Sequence, residues 1–154
     1  MKVGGKASHR LAGSYLEGRR PYEHVLEALE APDVPVVHGG SATVRAHIED
    51  YLQRHGWASP VTVTTGFNVK LNLTAGRTVL QVQTGNVARA FYDLMKMQAL
   101  HQQGRADCGV LVVPMAAAAR VVGGNLAQFE RVSNELEGVF YHQITIPILI
   151  VGFE

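Results

Sequence analysis

The chain has 154 residues, an apolar fraction of 47%, a charged fraction of 18% and a formal net charge of +1. That length supports one domain with a real hydrophobic core, and the composition excludes a disordered or fibrous chain. The lone cysteine, Cys108, excludes an internal disulfide and fits a reducing compartment; at the head of an apolar run it reads as a small buried hydrophobe. The longest apolar runs, such as Val110–Val113 and Ile148–Val151, are too short to cross a bilayer. No apolar block follows the basic N-terminal residues as a signal peptide would require, so a cytoplasmic protein without membrane contact is expected.

Residues 1–20 are Gly- and Ser-rich and expected to be partly flexible. They carry Lys2, Lys6, Arg10, Arg19 and Arg20 against Glu17 alone. Contact with phosphates and an ordinary solvated terminus both remain open for this basic stretch. Pro21 sits where a first helical residue should, followed by an apolar stripe of Val25, Leu26 and Leu29. The segment Ala31–Gly40 reads as a loop. Ser41 is a candidate N-cap for a helix bearing Val44, Ile48, Tyr51, Leu52 and His55, which Gly56 stops and Trp57 anchors.

Three strands are then predicted, at Val61–Thr65, Phe67–Leu73 and Thr78–Thr84, from β-branched content and alternation. Asn86 is a candidate cap for a well-buried helix to about Gln103. Cys108–Val113 reads as a strand covered on both faces. A helix over about Leu126–Tyr141 and a short strand at Ile148–Val151 follow, with Pro147 demoting the start of that strand to an edge or end position. The order αβββαβαβ over 1–154 implies a single α/β domain, a mixed β-sheet flanked by helices.

The hairpin within Val69–Asn86 carries the chemistry. Centring its turn on Ala75-Gly76 pairs Leu73 with Thr78, Asn72 with Val79 and Lys70 with Gln81. Lys70, Asn72, Val79, Gln81 and Gln83 then share one face, with Leu71, Leu73, Leu80 and Val82 on the core face. Asn72 and Gln81 become diagonal neighbours, roughly 7 Å apart at the backbone. Periodicity alone favours a solvated polar face; a grip on a metal ion or a phosphate is the sharper alternative.

The stretch VLQVQTGNVARAFYDLMKMQAL, followed by DCGVLVVP, resembles the BglII-type branch of the PD-(D/E)XK restriction endonucleases. That pattern has an Asp, a Glu nine residues later, then one residue and a Gln. A Gly-Asn helix start and a helix bearing Asp and Lys come next. Asn72, Gln81, Gln83, Gly85-Asn86, Asp93 and Lys96 stand at the matching positions, and the spacing of nine holds. The resemblance implies a restriction-endonuclease-like core, a homodimer acting on double-stranded DNA, and Mg²⁺-assisted phosphodiester hydrolysis. It further implies metal-ligand positions at Asn72, Gln81 and the Val82 carbonyl, with Gln83 orienting the attacking water.

This sequence departs from the pattern at both carboxylates, since Asn72 replaces the Asp and Gln81 the Glu. Neutral amides keep the shape and lose two negative charges, so affinity for a hard cation should fall steeply. The expected consequence is poor cleavage or none. Isosteric replacement is the form a deliberate disarming would take; a natural homologue kept as a non-catalytic DNA-binding or interaction module is the other account. Lys70, Asn86 and Arg89 are candidate DNA contacts, and Glu49 on the first long helix is a candidate supporting acid. The seven histidines lack zinc-site spacing, and neither a phosphate loop nor a nucleophile elbow is present.

Overall fold

The computed structural model describes residues 1–154. In chain order its elements are β1 (Val3–His9), α1 (Ala12–Leu16), α2 (Arg20–Leu29), α3 (Ser41–Arg54), β2 (Val61–Thr62), β3 (Lys70–Leu71), β4 (Leu73–Ala75), β5 (Thr78–Val82), α4 (Val87–Gln102), β6 (Cys108–Pro114), α5 (Ala116–Val122), α6 (Phe129–Gly138) and β7 (Ile148–Phe153). Five strands form one mixed sheet in the order β1-β7-β6-β5-β4. The pairs β5–β6 and β6–β7 are parallel; β1–β7 and β4–β5 are antiparallel.

Continuous apolar runs make the central strands. Every residue of β6 and β7 is buried, as expected of strands covered by helices on both faces. Alternation divides their side chains between two cores. Val110, Val112, Leu149 and Val151 meet Leu16, Leu29, Ile48 and Leu52 of α1, α2 and α3. Leu111, Val113, Ile148 and Ile150 meet Leu94 and Met97 of α4 and Val132 and Leu136 of α6. Burying each such side chain contributes about 1.5–3 kcal/mol.

Several expectations are corrected. The sequence reading assigns no element before Pro21, yet β1 pairs with β7 from Val3↔Phe153 to His9↔Ile148. Its glycines are there because neighbours press on them: a Cβ on Gly4 would lie 2.6 Å from Met115 Cγ, and one on Gly5 3.0 Å from the Phe129 ring. With β1 outside it, β7 is an interior strand, and Pro147 merely precedes it. Four of the five basic residues of this segment, all but Arg20, have partners in the fold. Lys2 pairs with Glu154, Lys6 bonds the Tyr22 hydroxyl, Arg10 donates to the Tyr141 and Ile144 carbonyls, and Arg19 lies over the Tyr15 ring.

The three strands predicted between Val61 and Thr84 do not form one continuous meander. β2 and β3 make a separate two-stranded ribbon, and the chain breaks at Asn72 before β4 joins the main sheet. α5 was not expected, and α6 is shorter than the predicted helix. Ser41 opens α3 without capping it; its hydroxyl instead donates to the Thr84 carbonyl at 3.3 Å, and Gly40 is the cap residue. Asn86 does cap α4, accepting the Ala88 N–H at 2.8 Å. No helix is long and apolar enough to cross a membrane.

Candidate active site

The hairpin register differs from the expected one by two residues. Ala75 pairs with Thr78, Thr74 with Val79 and Leu73 with Leu80. The turn is therefore Gly76-Arg77, with Gly76 at φ 58°, a conformation that suits glycine at the first position of a two-residue hairpin loop. The ladder stops at Leu73↔Leu80, and Asn72, just beyond it, meets Gln81 and Val82 through side-chain hydrogen bonds. The expected faces change too. Val79 and Leu71 pack in the α4 core while Leu73, Leu80 and Val82 pack in the α3 core, so neither face of the hairpin is a solvated one.

Asn72 and Gln81 are bonded to each other's strands. The Asn72 backbone N–H donates to Gln81 Oε1 at 3.1 Å, and the Val82 N–H donates to Asn72 Oδ1 at 2.9 Å. Those two donors fix which way each amide points, because a flipped amide would set NH₂ against N–H. Both amide nitrogens are left without a protein acceptor, and neither is among the buried unpartnered atoms, so both reach solvent.

Around Gln81 lies a cleft of about 440 Å³ at the C-terminal end of β5, between α3 and α4. Ser41, Ala42 and Arg45 form one wall; Gln81 to Gly85 form the floor; Arg89, Tyr92, Asp93 and Lys96 form the other wall. This is where parallel strands commonly present ligand sites, beyond their carboxyl ends. Gln83 is buried, with Oε1 accepting the Gly85 N–H at 2.7 Å and Nε2 donating to Asp93 Oδ2 at 2.5 Å. Asp93, itself 2% exposed, is neutralised by Lys96 at 2.7 Å, and the Lys96 ammonium also lies 4.5 Å from the Tyr92 ring centroid.

Glu49 stands one helical turn beyond Arg45, on the same face of α3 as Ala42, with its Oε1 3.8 Å from Arg45 Nε. That oxygen is buried without a hydrogen-bond donor. Desolvation raises the Glu49 pKa above the ordinary value, against a lowering by Arg45 and a further rise from Asp50.

Of the residues singled out from sequence, the cleft gathers Gln81, Val82, Gln83, Arg89, Asp93 and Lys96, with Asn72 bonded to its floor. Lys70 lies outside it on β3, exposed and paired with Thr62 at the backbone. Asn86 is beside it, its side-chain oxygen committed to the helix cap. Sequence reasoning missed Arg45 and Tyr92. Arg45 could have been reached from its i,i+4 relation to Glu49, and Tyr92 from its i,i+4 relation to Lys96.

A mixed sheet with this site at the β5–α4 junction is the architecture of a restriction-endonuclease-like protein. The family model described as restriction endonuclease BglII/BglIII matches residues 5–153, and the chain belongs to that family. It is similar in fold to the solved structure of restriction endonuclease BglII complexed with a DNA 16-mer. The TM-score is 0.86 and the identity 14%, over 100% of this chain and 78% of that one. It is likewise similar to free BglII, with TM-score 0.75 and 15% identity over 100% of this chain and 80% of that one. No curated protein matches.

Proposed function

We propose that this chain is a DNA-binding member of its family whose nuclease site has been neutralised, so that as it stands it cleaves duplex DNA poorly or not at all. The observation that carries this reading is the amide pair, whose oxygens are both engaged by backbone N–H groups. Relatives of this family use Mg²⁺, and the donor set here does not fit it. Mg²⁺ favours charged carboxylate oxygens in near-octahedral array, whereas this floor offers neutral amides and an Asp93 already paired with Lys96. No group of three or more His, Cys, Asp or Glu side chains is placed to hold a metal ion.

The remaining residues suit DNA. Arg45 and Arg89 flank the floor and can meet backbone phosphates; the free amide nitrogen of Asn86, at the start of α4, and the exposed Lys70 on β3, outside the cleft, are further candidate DNA contacts. Gln83 holds the Gly85 turn and Asp93, which positions the start of α4 against the cleft. A homodimer follows from the family resemblance, and sedimentation velocity checks it.

The test is incubation of the chain with long mixed-sequence duplex DNA and Mg²⁺. Retention on DNA without strand breaks is expected; robust Mg²⁺-dependent cutting overturns the reading.

A further inference from the structure

A site that has lost its fit for a cation has acquired one for an anion. We infer that the cleft floor is a direct, metal-independent phosphate site, in which the amide NH₂ group of Gln81, with Arg89 and Arg45 of the lining and the NH₂ of Asn72 from the segment bonded to that floor, takes a DNA phosphodiester. The inference rests on the DNA-binding reading above.

Geometry carries it. The backbone N–H groups of Asn72 and Val82 hold the two carbonyl oxygens inward, at 3.1 and 2.9 Å, so the two NH₂ groups face away from them and reach solvent. With carboxylates at these positions, the same backbone bonds would leave one oxygen of each carboxylate outward. The outward atom is thus changed from an acceptor, which repels a phosphate oxygen, to a donor, which bonds one.

The charge around the floor agrees. The cleft lining carries Arg45, Arg89 and Lys96 against Asp93 alone. Asp93 is cancelled by Lys96 at 2.7 Å, and Glu49, one turn along α3, engages Arg45 only at 3.8 Å. Arg89 makes no ion pair and donates no side-chain hydrogen bond within the chain, so its guanidinium is free for a bidentate phosphate contact. A divalent cation is not needed to bridge protein and phosphate when the protein side is already a set of donors.

Fluorescence anisotropy with a labelled mixed-sequence duplex tests this, in EDTA and in Ca²⁺, for the chain and for Asn72→Asp/Gln81→Glu. The chain is expected to bind equally in both buffers, with inorganic phosphate competing. The double variant keeps the backbone-accepting oxygens and so should fold, as circular dichroism checks. It should bind on the order of tenfold more weakly in EDTA and recover in Ca²⁺. Arg89→Gln should also weaken EDTA binding. Equal affinity of variant and chain in EDTA, or a chain that requires Ca²⁺, overturns the inference while leaving the DNA-binding reading intact. No binding in either buffer overturns both.

Discussion

At the residue scale, the side-chain oxygens of Asn72 and Gln81 are held by backbone N–H groups across the hairpin. The expected register made Asn72 and Gln81 diagonal neighbours, and only the family resemblance marked them as a pair; the fold bonds each to the other's strand. Which atoms face outward was not legible, since it depends on backbone donors from the partner strand. Glu49 gives a prediction in pH. Its pKa is raised by desolvation, so the folded state holds its proton more tightly than the unfolded one. The stability from that difference is fully present below the ordinary value of 4.5 and is lost as pH rises through the raised value. Glu49→Gln should therefore raise Tm slightly at neutral pH and lose that advantage below pH 4.5. Cys108 gives another. Burial pushes its thiol up to about 12, so alkylating reagents should label it at neutral pH only when denaturant unfolds the chain.

At the element scale, the hairpin turn is set by what holds its tip. Arg77 donates to both Asp107 carboxylate oxygens at 2.7 Å and to the Gly104 carbonyl, while its own carbonyl accepts the Asp107 N–H at 2.8 Å. This clamp fixes β5 against the start of β6 and favours Gly76-Arg77 over Ala75-Gly76 as the turn. A contact between residues thirty apart in sequence leaves no local pattern, which is why the register could not be read beforehand. The hydrogen bond from Arg77 holds the Asp107 pKa below the ordinary 3.8, so that stabilisation is present above 3.8 and lost as pH falls through the lowered value. In Arg77→Ala the Asp107 carboxyl should titrate closer to 3.8, as NMR would record. Strand β1 escaped prediction for a different reason. Its glycines lower β-propensity locally, yet they admit Met115 and Phe129 across β1 and β7. On Gly152 a Cβ would overlap Met115 Sδ and lie 2.9 Å from Phe129 Cγ. Gly152→Ala should cost about 1–3 kcal/mol, seen as a Tm lower by several degrees.

At the scale of the whole molecule, the long apolar runs and periodic helices were legible, and they fixed the α/β class and the two-sided burial of β6. Short elements were not: α1 and α5 are too brief to show periodicity and exist through tertiary packing, while β2 and β3, expected as strands, pair in a ribbon apart from the main sheet. The cleft inherits this division. Its floor and α4 wall come from one continuous stretch whose motif could be recognised, whereas its α3 wall arrives from some forty residues earlier and was assembled only by the fold. The molecule has the architecture of the BglII restriction endonuclease family, and the proposal that its central charge has been removed is tested directly by putting that charge back. Cleavage of long mixed-sequence duplex DNA by Asn72→Asp/Gln81→Glu should be measured with Mg²⁺ and with EDTA. Strand breaks from the restored variant with Mg²⁺ alone, and none from the chain as it stands, are predicted. A folded, DNA-binding restored variant that leaves the DNA intact would contradict the account.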